Sequence, residues 1–259
     1  MSHFLASRPL WASLLIVVVL PTLVAMCGPV LIRRRIALER LTVNNEVAGF
    51  KFAAVAVLYA VLVGFAIIMS WERFADGEAA VAQEAGAAAT VYRLAAGADP
   101  EAIGIRRALD NYLGLAIERE WPQMAVEKEG VGVTQALDKV YAAVLRFAQS
   151  GSRPNGVLVD ILGQVDVLTQ ARRNLLHLAV GIIPGMMWIV LVVGGILTVA
   201  FTFFFGTENL RAQVLMTGIL SLVVFMSLWV IISIDYPFTG PVHIGNEPLR
   251  VVLQEFAER

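Results

Sequence analysis

The sequence predicts an all-α, polytopic membrane protein with four transmembrane helices and a helical extramembrane bundle between the second and third. Three observations predict it. Four apolar runs, at residues 10–32, 50–71, 178–205 and 214–234, are each long enough to cross a ~30 Å hydrocarbon core, which takes about 20 residues at ~1.5 Å rise. The chain is 58% hydrophobic with mean hydropathy +0.72, too apolar for these runs to be the core helices of a soluble fold. No stretch of the polar region 72–177 alternates in the two-residue period of a half-buried strand. Inside lipid every backbone N–H and C=O must pair within its own segment, so runs of this length read as helices.

The first run follows Arg8 and is longer than a signal-peptide core, and Arg33, Arg34 and Arg35 stop it, so it reads as a retained span. A lipoprotein signal ending at Cys27 is disfavoured because Met26 is too bulky for the position before a modified cysteine. The linker to the second run carries Arg33, Arg34, Arg35 and Arg40, with Lys51 just beyond, against Glu39 and Glu46. Positive charge beside a span stays cytoplasmic, so alternation puts the N-terminus, residues 72–177 and the C-terminal tail outside. The central region fits that side, with 11 Lys and Arg against 14 Asp and Glu, while Arg172 and Arg173 pull the other way.

From Val47 to Ala96 no proline interrupts the chain, and 72–94 is rich in alanine, so the second span continues out of the bilayer as one helix. Gly97, Asp99 and Pro100 break it. A helix over 101–120 follows, with Asp99 as its N-cap, Pro100 at its first position and Pro122 ending it. Residues 134–149 and 156–177 read as two more helices, joined by a turn through Gly151, Ser152, Pro154, Asn155 and Gly156. The expected divisions are a first hairpin at 1–71, the helical domain at 72–177, a second hairpin at 178–235 and a tail at 236–259.

Along the second span Ala56, Ala60 and Gly64 recur every four residues, and the same stripe continues through Ile68 to Glu72 and Asp76. Small residues at this spacing let helices approach closely, so the stripe reads as a packing seam. Alternatively, a ring of such helices leaves a narrow lumen with a carboxylate mouth at Glu72 and Asp76, which concentrates cations. Asn44, Asn45 and Glu46 read as a helix cap or, alternatively, as a polar ring at the inner vestibule. Phe201, Phe203, Phe204 and Phe205 close the third span and face lipid or neighbouring helices; one of them, with Phe204 the candidate, is placed to act as a hydrophobic constriction. Glu208 and Arg211 read as a solvated ion pair. Asp235 closes the fourth span as an interfacial carboxylate or a pathway residue, with Tyr236 and Phe238 in an aromatic belt. Arg172, Arg173 and His177 read as interfacial, with snorkelling side chains. Gly181 and Gly185 bracket Pro184 and indicate close packing or a kink.

Other chemistry is not signalled. A net charge of −1 leaves no basic footprint, so no nucleic acid is expected as a partner. One cysteine and three scattered histidines, His3, His177 and His243, hold no metal, no phosphate-binding or nucleophile-elbow motif occurs, and neither cofactor nor enzymatic activity is expected.

Asn45 with Ala48-Gly49-Phe50, then Tyr59, Leu62, Phe65 and Trp71, then Ala79 and Glu84-Ala85, form a distinctive series. It continues with Tyr112, Glu120-Trp121-Pro122, Arg172-Arg173, Pro184 with Trp188, Asp235-Tyr236-Pro237-Phe238 and Gly240. On these residues nearly the whole chain resembles the bacterial bestrophin-like proteins, long catalogued as a domain of unknown function. The resemblance implies an oligomeric ion channel with four spans per subunit. Bestrophins hold the region between spans two and three in the cytoplasm, the opposite of what the arginines here predict. The expected partners are the lipid bilayer, further copies of the chain in a symmetric homo-oligomer, and inorganic ions. The alternative is a membrane-anchored sensor or binding module through which no ion passes. Alternating access is the weaker third, because no inverted repeat is visible.

Overall fold

Helices are the only regular elements among the described residues of a computed structural model, which describes residues 8–43, 45–96, 99–150, 155–181, 183–240 and 242–258. In chain order, α1 runs Leu10–Arg35, α2 is a single turn at Leu38–Thr42, and α3 runs unbroken for 50 residues from Asn45–Leu94. Pro100–Leu115 is α4, continuing through a π-turn at Ala116–Glu120 into Trp121–Met124. Then come α5 (Val133–Gln149), α6 (Asn155–Leu178), α7 (Gly185–Phe201, with a 3-10 turn at Thr202–Phe204), α8 (Leu210–Asp235) and α9 (Glu247–Ala257). The helices α1, α3, α7 with its 3-10 turn, and α8 are long and apolar enough to cross a membrane.

Several expectations meet this structure directly. Asp99 caps α4, its Oδ1 accepting from the Glu101 N–H at 2.9 Å, and α3 runs on through the alanine-rich stretch. Asn44, Gly97 and residues 151–154, where breaks or caps were expected, lie outside the described residues. The third span begins at Gly185 rather than 178: Leu178 closes α6, and Pro184 stands at the N-cap of α7. Gly181 and Gly185 therefore flank a helix break, and a Cβ on Gly185 would meet nothing within 4 Å. The tail is not featureless, because Leu249, Val252 and Phe256 recur on one buried face of α9.

Pro122 does not end its helix. A π-turn of five residues precedes it, with the Trp121 N–H reaching back to the Ala116 carbonyl. The same device occurs in α1, where a π-turn at Leu15–Val19 precedes Pro21 and the Leu20 N–H reaches the Leu15 carbonyl. A proline inside a helix has no N–H for the carbonyl four residues back and its ring crowds that carbonyl. Widening the preceding turn to an i→i+5 pattern absorbs both effects without ending the helix.

The chain divides into two compact units. The first holds residues up to Glu72, Gly181–Asp235 and Gly240–Val242; the second holds Arg73–Val180, Tyr236–Thr239 and the residues from His243 onward. In the first unit, Ala25 of α1, Tyr59, Val63 and Ala66 of α3, Leu191 and Val199 of α7, and Val224, Leu228 and Ile231 of α8 form the core. Glycines set its closest approaches. Tyr59 lies over Gly194 and Gly195, where Cβ atoms would come within 2.9 Å of its ring and 2.7 Å of its hydroxyl, and that hydroxyl donates to the Leu191 carbonyl at 3.0 Å. Trp229 Nε1 donates to Ser13 Oγ at 3.0 Å, giving a second buried polar group a partner between α8 and α1.

In the second unit, the Ala80, Val81, Ala87, Ala88 and Val91 side of α3 is buried, as are Ile105, Leu109 and Leu113 of α4, Val140 and Val144 of α5, and Ile161, Leu168 and Leu175 of α6. Here α9 docks through Phe256, whose ring stacks on Tyr92 at 3.7 Å between centroids, and through an Arg93–Glu255 ion pair at 3.2 Å. Phe238, Thr239 and Ile244 of the same unit meet the segment that follows the π-turn. Phe238 meets Trp121 edge-on at 5.6 Å, Trp121 Nε1 donates to the Ile244 carbonyl at 3.2 Å, and Thr239 Oγ1 donates to the Ala125 carbonyl at 2.9 Å. Phe238 is thus a buried anchor of the second unit, not a member of an aromatic belt.

Candidate ion pathway and buried polar clusters

Tyr59, Val63, Ala66 and Ser70 mark the buried side of the membrane-spanning part of α3. The small-residue stripe lies away from it. Ala56 is half-buried, Ala60 is exposed, and a Cβ on Gly64 would meet nothing within 4 Å. Further along, Ile68, Glu72 and Asp76 are exposed as well. Ala56 apart, the stripe is largely open among the described residues, and beside it Val57, Val61 and Phe65 are exposed too.

Asn45 does something the cap and vestibule readings did not foresee. Its Nδ2 donates to the Gly206 carbonyl while its Oδ1 accepts from the Gly206 N–H at 2.9 Å, so one side-chain amide pairs with both backbone polar groups of a single residue after α7. Gly206 must be glycine there, since a Cβ would fall 2.7 Å from the Thr42 nitrogen. The same loop is held by Arg33 Nη1, which donates to the Thr207 carbonyl, and by Gln213 Nε2, which donates to the Phe205 carbonyl. Phe201 and Phe205 pack on Phe52 at 5.8 and 5.7 Å, whereas Phe204 is 51% exposed. The Glu208–Arg211 ion pair is not among those formed by the described residues; instead Asn209 Oδ1 accepts from the Arg211 and Ala212 N–H groups as the cap of α8, at 3.0 and 3.2 Å.

Asp235 is not interfacial in its own subunit. It is 1% exposed at the end of α8, where Oδ1 accepts from the Ile183 N–H at 2.8 Å and Oδ2 from Trp188 Nε1 at 3.1 Å. Its carboxylate fastens the break before α7 to the end of α8. Of the sequence candidates, the structure thus joins Ala56, Ala60, Gly64, Glu72 and Asp76 along α3, and it gives Asn45 and Asp235 separate fastening roles.

A second buried cluster was missed. Arg172 Nε and Nη2 donate to both oxygens of Glu120 at 2.9 and 2.6 Å, and Nη2 donates also to Thr134 Oγ1 at 3.1 Å. Beside this pair Tyr112 Oη donates to Glu84 Oε1. Glu84, Glu120 and Arg172 are 1%, 3% and 5% exposed, so Arg172 is a core residue of the second unit and does not snorkel. Burial raises the Glu84 carboxyl to about 7, the Tyr112 hydrogen bond opposes that rise, and the nearby Glu120 adds to it. Tyr112 is pushed well up by burial and by the adjoining Glu84. Burial works against the Arg172 charge, but the hydrogen bonds it donates to Glu120 and that carboxylate's charge outweigh it and leave the guanidinium more firmly protonated. The π-turn before Pro122 places Glu120 here, and Gly130 packs on its backbone so closely that a Cβ would come within 2.6 Å. Glu84, Tyr112, Glu120 and Arg172 all belong to the residue series singled out in the sequence, which was the available signal. No group of His, Cys, Asp and Glu among the described residues is arranged to hold a metal ion.

The sequence profile of the Bestrophin-like domain matches residues 16–249. Among solved structures, a bacterial bestrophin homologue from Klebsiella pneumoniae carrying a point mutation superposes with a TM-score of 0.73 at 12% identity, covering 92% of this chain and 96% of that one. The same homologue solved by zinc phasing gives 0.70 at 12% identity with the same coverage. A point variant described only as a membrane protein gives 0.74 at 13% identity, again covering 92% and 96%. At such identities the likeness is one of fold. No curated protein sequence matches the chain.

Proposed function

Since the chain belongs to the Bestrophin-like family and is a multi-pass membrane protein, we propose that its subunits assemble around a symmetric axis as an ion channel lined by the membrane-spanning part of α3. One observation carries the proposal: beyond the half-buried Ala56, the stripe turns away from the subunit's own core, with Ala60, Ile68, Glu72 and Asp76 exposed and nothing within 4 Å of a Cβ on Gly64. A single subunit has few internal polar groups to line its own path, and repeated copies around an axis form a closed ring. In that ring the small residues line the narrow part, while Glu72 and Asp76 form an acidic mouth that gathers cations.

The Glu72→Gln variant is expected to lower cation conductance in planar bilayers under a KCl gradient, moving the reversal potential toward the chloride value. Conductance and reversal potential equal to wild type would refute the acidic mouth, and silence from inserted wild-type protein would favour an anchored binding module.

In a bacterial cell membrane, the α3 end bearing Asn45 faces the cytoplasm and residues 72–177 lie outside. Arg33, Arg34, Arg35, Arg40 and Lys51 support this orientation. The Asn45–Gly206 and Arg33–Thr207 bonds add support, because they bring the α7–α8 loop, with Arg211 beyond it, to the same end of the first unit. A reporter fused after residue 150 should be active only if it works in the extracytoplasmic space; a reporter active only in the cytoplasm there would reverse the orientation.

A further inference from the structure

Two shallow clefts flank the seam where α1 meets α8. The seam is tight at Met26, whose sulfur lies 3.1 Å from where a Cβ on Gly218 would stand. Toward the ends bearing the arginines it opens on both sides. One cleft, about 480 Å³, runs from Leu23 past Cys27 to Arg34; the other, about 460 Å³, is lined by Leu210, Leu215 and Arg211; Met26, Val30 and Val214 border both. These volumes fall in the ~300–1,000 Å³ class of small-molecule sites. Each cleft is apolar along its length and ends in one cation.

Those two cations differ from their neighbour. Arg33 is engaged by the Thr207 carbonyl, whereas Arg34 and Arg211 are exposed and form no ion pair among the described residues. Because α1 and α8 are membrane-spanning helices, what fills the apolar length is hydrocarbon, and what the terminal guanidinium selects is negative charge beside it. A guanidinium fork matches the two free oxygens of a phosphodiester. Apolar length with an anionic head describes one ligand class. We propose that the α1–α8 seam binds an anionic phospholipid, with its acyl chains along Met26, Val30 and Val214 and its phosphate between Arg34 and Arg211. The site is independent of whether the protein conducts ions.

Native mass spectrometry of the full chain in mild detergent tests this, with phosphatidylglycerol, phosphatidylcholine of the same chains, and inorganic phosphate as separate probes. Wild type should retain phosphatidylglycerol over phosphatidylcholine by about tenfold or more, and free phosphate should not compete, since it lacks the chains. The Arg34→Gln/Arg211→Gln variant should lose that preference while still binding either lipid weakly. Val214→Trp, which fills the clefts, should reduce retention of both lipids. Arg35→Gln/Arg40→Gln, whose side chains line neither cleft, should behave as wild type and serves as the control for bulk positive charge. Equal retention of the two lipids by wild type, an unchanged preference in Arg34→Gln/Arg211→Gln, or an equal loss in Arg35→Gln/Arg40→Gln would overturn the proposal.

Discussion

Glu84 is the residue whose chemistry departs most from its ordinary behaviour. Its carboxyl titrates near 7 in the folded state, against 4.5 in the unfolded chain. Native protein therefore holds a proton that unfolded protein releases between those values, so stability is greatest at or below pH 4.5 with respect to this group and falls as pH rises through 7. At about 1.4 kcal/mol per pH unit the loss approaches about 3 kcal/mol. The groups facing it are Tyr112, Glu120 and Arg172, of which only Arg172 is a cation, and that cation is already held by both oxygens of Glu120. The thermal midpoint of wild type should fall between pH 5 and pH 8, whereas Glu84→Gln, which keeps an acceptor for Tyr112 without the charge, should show a flatter profile and a higher midpoint at pH 8. Identical profiles for the two proteins would remove Glu84 as the cause. The residue types of this cluster were legible in the sequence, but their pairing was not. Tyr112 and Glu84 are 28 positions apart and Arg172 and Glu120 are 52 apart, and partnership at that distance leaves no periodic trace.

At the scale of elements, legibility followed the physics of each signal. The spans were readable because lipid demands a run of apolar residues, and the α4 cap was readable because Asp99 and Pro100 stand together at a helix start. The third span was placed too early because Leu178, Ala179 and Val180 are as apolar as a span, although they finish α6 and the break after it. α9 was missed because eleven residues in an apparent tail show too few helical turns for a pattern to stand out. The Asn45–Gly206 latch was hidden for the same reason as the buried pairs, its halves lying 161 positions apart. Gly206→Ala should break it, since the new Cβ would push against the Leu41 and Thr42 backbone and part the two Asn45 bonds. A loss of about 1–3 kcal/mol is expected, read as a lower thermal midpoint. Gly163→Ala, where a Cβ meets nothing within 4 Å, should cost nothing or stabilise its helix slightly. Equal midpoints for the two variants would show that the latch carries no stability.

At the scale of the whole molecule, the 50 residues of α3 measure about 75 Å at ~1.5 Å per residue, well over twice the ~30 Å hydrocarbon thickness. One unbroken helix therefore contributes apolar surface to the first unit and alanine-rich surface to the second, and the composition change along it was visible in the sequence. What the sequence left open was which face of α3 the subunit keeps for itself, because apolar residues surround the membrane-spanning part on all sides. The fold resolves that by burying Tyr59, Val63, Ala66 and Ser70, leaving Ala60 and Ile68 exposed and open space beside Gly64.

The two π-turns have a consequence for how the family's sequences are to be compared. A π-turn fits one more residue into a helix than its ends require, so α1 and α4 each carry a surplus position ahead of Pro21 and Pro122. A homologue with neither proline nor surplus residue can keep the same side chains in the same places, yet it aligns with a one-residue gap inside a helix. Such a gap, in 15–19 or 116–120, marks an equivalent structure, whereas the same gap elsewhere in these helices would turn every following side chain by about 100°.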